Sequence, residues 1–190
     1  MRVDVKLFTA PGKSIELKSL IPVFHGFIQR GVVQDELLID VADYSHVVDG
    51  PGVMLIAHEG QYGYDRNKGR DGLLYSLRRG KVDDAFGPAL RYGVLHALRM
   101  AALLEQESAL QGKLLFSTQE LMVRVSDRLR APNTEASYRA LEPEARDVLC
   151  GLLGPDLGIE PGAFGEELLT LHVRSAQNAR AADLLAKLPC

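Results

Sequence analysis

Hydrophobic and polar residues alternate in several short segments of the first half of the chain. In residues 3–8, Val3, Val5 and Leu7 are separated by charged residues, which is the two-residue period of a strand with one buried face. Residues 20–30 instead carry apolar side chains at helical spacing, and Gly31 ends that helix. Four segments are predicted to be strands: residues 3–8, 37–44, 53–58 and 73–77.

The second half of the chain has longer segments with a helical period. A wide apolar face extends from Pro88 to about Glu107, so this helix is expected to lie across a sheet. Thr134 is placed to cap a further helical region that ends near Leu153. The remaining predicted elements are a strand at 113–116, a strand at 168–173 and a helix at 176–188.

Residues 117–130 fit two different patterns. Ser117 and Glu120 have the spacing of a helical capping box, and apolar residues follow at helical spacing. The alternation of Leu121, Val123 and Val125 with the residues between them predicts a strand instead. We favour the strand, because a turn at 119–120 would let it form a hairpin with residues 113–116.

The predicted elements follow the order β-α-β-β-β-α-β-β-α-β-α along the chain. Strands joined by short turns pair antiparallel, and helices that lie between groups of strands cover a face of the sheet. The sequence therefore predicts an α+β fold, with a largely antiparallel sheet covered by helices. Because no linker separates two halves, residues 1–190 are predicted to form a single α+β domain.

The composition is that of an ordinary globular protein, with 46% hydrophobic and 25% charged residues. The formal net charge of −3 argues against general nucleic-acid binding, which needs a basic surface. No apolar run approaches the roughly 18 residues of a membrane span, and the charged N-terminal segment lacks the apolar centre of a signal peptide. Together with the presence of only two cysteines, these features predict a cytoplasmic protein that does not enter a membrane.

Reactive side chains are concentrated in residues 40–75, which include two of the five histidines. The candidate catalytic residues in this segment are Asp43, His46, His58 and Glu59. The candidate metal ligands are His46, His58, Glu59 and Asp65. Their spacing matches no established motif, and polar residues near turns often serve only to satisfy the backbone.

The predicted hairpin between the second and third strands would bring two of these candidates together. The sequence Asp49-Gly50-Pro51-Gly52 predicts a tight turn. If Val48 pairs with Val53, Asp43 lies opposite His58 on the same face, with Cβ atoms about 5 Å apart. A carboxylate that orients an imidazole is what a general base or a metal-bound histidine requires.

Known catalytic and binding motifs are approached but not completed. Gly12-Lys13-Ser14 follows the first strand as in a phosphate-binding loop, but the position of the required earlier glycine is Leu7. Residues 65–71 have the acids and glycine of a calcium loop at the wrong spacing. The G-x-S-x-G, C-x-x-C, H-E-x-x-H and G-x-G-x-x-G signatures are missing. His25 and His96 lie in apolar helical segments and are predicted to be packing residues.

These observations predict a binding or regulatory domain. The expected partner is a small-molecule ligand or a second copy of the chain, because an antiparallel sheet leaves edges that a homodimer can cover. The alternative is a small enzyme, metal-assisted, that uses the Asp/His/Glu cluster of residues 40–65. The sequence identifies no cofactor.

Overall fold

Eight strands form one sheet in the computed structural model, which describes residues 1–48, 50–78, 85–110 and 112–187. The strands are β1 (Val3–Thr9), β2 (Leu38–Tyr44), β3 (Gly52–Ala57), β4 (Gly60–Asp65), β5 (Gly72–Leu77), β6 (Phe116–Val125), β7 (Gly158–Pro161) and β8 (Leu169–Arg174). The helices are α1 (Leu20–Arg30), α2 (Phe86–Gln106), α3 (Glu135–Leu153) and α4 (Ala181–Leu185). Across the sheet the order is β2-β3-β4-β5-β1-β6-β8-β7, with every neighbouring pair antiparallel.

The α+β class and the antiparallel sheet are confirmed, and the predicted elements that form occur in the predicted succession, although some boundaries differ. The strand interpretation of 117–130 holds as far as Val125, but 116–125 is one strand and contains no hairpin at 119–120. The sequence pattern does not predict β4 or β7. In β4 glycines interrupt the alternation, and at Gly60 a Cβ atom would come within 2.7 Å of the Ser76 carbonyl oxygen. The final helix is shorter than predicted, and residue 188 lies outside the described residues.

The predicted register of the β2–β3 hairpin is wrong. Asp43 pairs with Val53, and Tyr44 pairs with Gly52, so the connection is longer than a tight four-residue turn. Asp43 Oδ1 accepts a hydrogen bond from Ser45 N at 2.9 Å, which turns the chain directly after the strand. Asp49, which belongs to the predicted turn, lies outside the described residues.

One face of the sheet, the covered face, carries the helices and the core. Helix α2 lies across β1 and β5, α1 packs beside β2, and α3 contacts β7 and β8. Val5, Tyr75, Val123 and Leu171 are neighbours across four adjacent strands on this face, and all are fully buried in one continuous core. Burying such apolar side chains is the main source of folding stability.

The opposite face of the sheet, the open face, differs in its residues. It presents the alternate positions of each strand, beginning with Asp4, Lys6 and Phe8 of β1. Its apolar side chains, among them Phe8 and Met122, lie outside the continuous core that the described helices share with the sheet. The parts of the open face that are covered from solvent are therefore covered by loops rather than by helices.

Candidate functional site

Two loops flank the open face and border a half-open cavity of about 620 Å³. Loop 66–71 connects β4 to β5, and loop 162–168 connects β7 to β8. We call the cavity the open-face cleft. Its floor consists of side chains from β1, β6 and β8: Lys6, Phe8, Met122, Arg124, Thr170 and His172. The strand register places these side chains side by side, since Met122 pairs with Lys6 on one side and with His172 on the other.

Loop 66–71 is held against the sheet by hydrogen bonds. The Arg70 guanidinium donates to both carboxylate oxygens of Glu120, at 2.6 and 2.8 Å. Lys6 Nζ donates to the Arg70 carbonyl oxygen at 2.6 Å. The Arg70 guanidinium also lies over the Phe8 ring, 3.9 Å from its centroid. This wall of the cleft is therefore fixed in place before a ligand arrives.

Loop 162–168 is anchored in a similar way. Asn133 Nδ2 donates to the Ala163 carbonyl oxygen at 2.9 Å, and an Arg128 amino group donates to the Glu166 carbonyl oxygen at 2.8 Å. At the rim of the cleft the two loops meet, because Lys68 Nζ lies 2.9 Å from Glu167 Oε2. That ion pair is solvent-exposed, so it contributes little to stability, but it does link the two walls.

Each cation in the cleft has an internal carboxylate partner. Lys6 Nζ donates to Asp65 Oδ2 at 2.6 Å, in a pair that is almost completely buried. Burial lowers the pKa of Lys6, although the hydrogen bond and the charge of Asp65 act in the opposite direction. Arg124 donates through Nε to Asp4 Oδ2 at 2.8 Å. The charges of the lysines and arginines that line the cleft are thus largely balanced by carboxylates.

The predicted site residues of the β2–β3 hairpin lie on the surface and do not form one cluster with Asp65. Asp43 is exposed; the hydrogen bonds from Ser45 lower its pKa, and it does not face His58. His46 is exposed and stacks on Tyr44 with ring centroids 6.4 Å apart. Asp65 instead lines the open-face cleft as the partner of Lys6.

His58 and Glu59 are the two candidates in direct contact. His58 Nδ1 lies 3.2 Å from Glu59 Oε1, with the imidazole exposed and the carboxylate buried. Among the described residues, no group of three or more His, Cys, Asp or Glu side chains is arranged to hold a metal ion. The metal-assisted alternative therefore has no ligand set in the described part of the chain.

A second polar cluster is buried beneath the covered face. Glu36, which precedes β2, accepts hydrogen bonds from the hydroxyl groups of Tyr62 at 2.6 Å and Tyr75 at 3.0 Å. His96 of α2 is fully buried, with Nδ1 2.8 Å from the Tyr62 hydroxyl and 3.2 Å from Glu36 Oε2. We call these four residues the buried cluster. The prediction that His96 is a packing residue is thus incomplete, because its imidazole also joins a hydrogen-bond network.

Burial and hydrogen bonding shift the pKa values of Glu36, Tyr62 and Tyr75 in the buried cluster. Burial would raise the pKa of Glu36, but the hydrogen bonds from His96 and Tyr62 outweigh it, and the net pKa is lowered. Burial, followed by the charge of Glu36, raises the pKa of Tyr62 and that of Tyr75. These shifts favour a Glu36 carboxylate that accepts hydrogen bonds from two neutral tyrosines.

The sequence did not single out the cleft residues because they are separated along the chain. Asp4 and Arg124 are 120 positions apart, and Lys6 and Asp65 are 59 apart. One local signal was available: Phe8 falls among the polar positions of β1, where an apolar ring indicates that this face is not simply solvated.

Comparison with protein-family models, with curated proteins and with solved structures finds no match to this chain. Within the described residues, no helix has the length and apolar character needed to cross a membrane. The residues of the site are therefore the basis for an assignment of function.

Proposed function

We propose that this chain is a binding domain that takes a small organic molecule into the open-face cleft. The observation that carries this proposal is the half-open cleft of about 620 Å³ between two anchored loops. Ligand sites commonly have volumes of roughly 300–1,000 Å³ and combine an apolar lining with a few fixed polar groups. Phe8 and Met122 supply the apolar surface, and His172 and Thr170 supply polar groups on the same floor.

Preorganisation supports this proposal. The walls are held by internal hydrogen bonds, so binding needs little ordering of the loops. The cations of the cleft are already paired with carboxylates. We therefore expect the part of the ligand that contacts the floor to be neutral rather than multiply charged.

The test is a titration of the isotope-labelled protein with benzyl alcohol and benzamide as neutral probes, followed by amide NMR. We expect shifts at residues 67–70, 122–124 and 168–172. Ala163→Trp fills the cleft from an exposed loop position and should abolish these shifts, while Ala140→Trp on the exposed side of α3 should preserve them. Shifts that are absent, that occur elsewhere, or that are the same in both variants would refute the proposal.

The homodimer is a second proposal, and the edge strand β2 favours it. Leu37 is 67% exposed, Ile39 52% and Val48 89%, all along or beside this edge. The other edge, β7, is short and ends at Pro161, which has no N–H to offer a partner strand. Because Asp40 Oδ1 already accepts the Val41 N–H at 2.7 Å, we expect side-chain packing between two copies rather than a continued sheet.

Light scattering tests this second proposal. The wild type should have twice the mass of a 20.8 kDa chain, and Ile39→Lys should return it to a single chain. A wild-type mass of one chain at tens of micromolar, on the order of ordinary dimer affinities, would contradict it. The cytoplasmic location and the lack of nucleic-acid binding stay predictions from composition.

A further inference from the structure

A second cavity, of about 380 Å³, adjoins the open-face cleft. The two cavities share Arg124, Asp65 and Asn67 in their linings. The second cavity lies over the ends of β1, β5 and β6, and we call it the arginine pocket. Its charged lining residues are three arginines, Arg2, Arg78 and Arg124, and two carboxylates, Asp4 and Asp65.

Two arginines of this pocket flank the ends of neighbouring strands. Asp4 pairs with Ser76, so Arg2, just before β1, and Arg78, just after β5, are at the same end of this strand pair, and both line the pocket. On the other side, the Ser126 N–H donates to the Arg2 carbonyl oxygen at 3.0 Å, so Ser126 flanks the same arginine. Like charges on neighbouring strands repel. An anion bound between two guanidinium groups would relieve that repulsion.

Arg2 and Arg78 differ from the other cations of the open face, which form ion pairs with carboxylates. Lys6, Lys68, Arg70 and Arg124 each contact a carboxylate, as does Arg174 more loosely at 3.8 Å from Glu160. Within the part of the chain that the structure describes, Arg2 and Arg78 form no ion pair. The one carboxylate close to them in register, Asp4, is already held by Arg124 Nε and by the Ser126 hydroxyl at 2.9 Å.

We propose that the arginine pocket is a binding site for a small oxyanion, a phosphate or carboxylate group held by Arg2, Arg78 and Arg124. A guanidinium group can donate two parallel hydrogen bonds to two oxygens of a carboxylate or a phosphate. Arg124 uses only its Nε on Asp4, so its two amino groups remain free of hydrogen bonds to described residues. The anion is either a free ion or the charged end of the ligand proposed for the cleft. The arginine pocket would recognise the same oxyanion group in either case.

The test is the melting temperature in sodium phosphate, sodium acetate and sodium chloride at matched ionic strength, with calorimetric titration of inorganic phosphate. Phosphate or acetate, but not chloride, should raise the melting temperature of the wild type. Arg2→Gln and Arg78→Gln should each weaken binding of the effective anion by about tenfold or more, the usual effect of losing a charge-assisted hydrogen bond. Without the anion, the same variants should be at least as stable as wild type, because the repulsion is removed.

Arg91→Gln is the matched control, an exposed arginine on α2 beyond the covered face. It should keep the response to the anion. Equal effects of the three salts, or an equal loss in Arg91→Gln, would overturn the inference. Ala163→Trp separates it from the cleft proposal: binding of inorganic phosphate or acetate should survive in that variant even where the neutral probes no longer bind.

Discussion

The two faces of the sheet use polar residues in opposite ways. In the buried cluster under the covered face, Glu36 accepts hydrogen bonds from both tyrosine hydroxyls, and the Tyr62 hydroxyl also contacts His96 Nδ1. On the open face, the paired charges of Lys6 and Arg124 border the cleft and the arginine pocket. The difference is that the polar groups of the covered face contact mainly one another, whereas those of the open face line two cavities.

The largest expected effect comes from removing the centre of the buried cluster. Glu36→Ala would leave two buried tyrosine hydroxyls and His96 without their acceptor, and should lower the free energy of unfolding by about 3–5 kcal/mol. Urea denaturation measures this loss. Glu135→Ala, which removes an exposed acid of α3, is the control and should have little effect. A small loss in Glu36→Ala would mean that the covered face does not depend on its polar network.

A smaller loss of stability is expected from a substitution at Gly52, the first residue of β3. Gly52 has a φ of 70°, and a Cβ atom there would lie 2.7 Å from the Tyr64 carbonyl oxygen. Gly52→Val should therefore cost about 1–3 kcal/mol in thermal or urea unfolding. Gly151→Val is the control, because Gly151 lies in α3 with no neighbour within 4 Å of an added Cβ atom. An unchanged midpoint for Gly52→Val would show that the hairpin relaxes around the side chain.

Low pH should reduce the free energy of unfolding, because Glu36 becomes protonated. Its pKa in the folded protein is lowered from the ordinary value of 4.5, so its stabilising contribution is full above that pH and is lost as the pH falls through the folded pKa. Unfolding free energies between about pH 3 and pH 6 should show this slope in the wild type, and Glu36→Gln should remove that part of it. Parallel pH profiles for the two proteins would contradict the assignment of the slope to Glu36.

The smallest effect on stability is expected from breaking the Lys68–Glu167 ion pair at the rim of the cleft. Its effect should instead be seen in the local motion of the two loops. Lys68→Ala breaks the exposed link between the two loops and should leave the unfolding midpoint unchanged. Hydrogen exchange of loops 66–71 and 162–168 should become several-fold faster, because their remaining anchors lie at the sheet. Arg139→Ala, which breaks an exposed pair on α3, should not change exchange in either loop. Unchanged exchange in Lys68→Ala would show that the rim pair has no role.

The local pattern of the sequence predicts most of the sheet and all of its helical cover, but little of the site. Alternation identifies β1 and helical spacing identifies α2, because both depend on near neighbours. The predicted hairpin register is wrong because Asp43 accepts a hydrogen bond from Ser45 N and the chain turns directly after Tyr44. The hydrophobic pattern of the sequence gives no sign of that hydrogen bond. The cleft and the buried cluster depend on pairings between distant strands, and Asp65 is the one predicted site residue that lies in the cleft.

The central position of β1 has a consequence for how the chain is made. This strand precedes its two neighbours, β5 and β6, along the chain, and Asp4 must wait for Arg124, 120 residues later, before that side of the strand is paired. Contacts of such long range slow folding, because a large loop must close before they form. On the ribosome, β1 would therefore keep an unpaired edge while more than a hundred further residues emerged, a period in which a chaperone has most to protect.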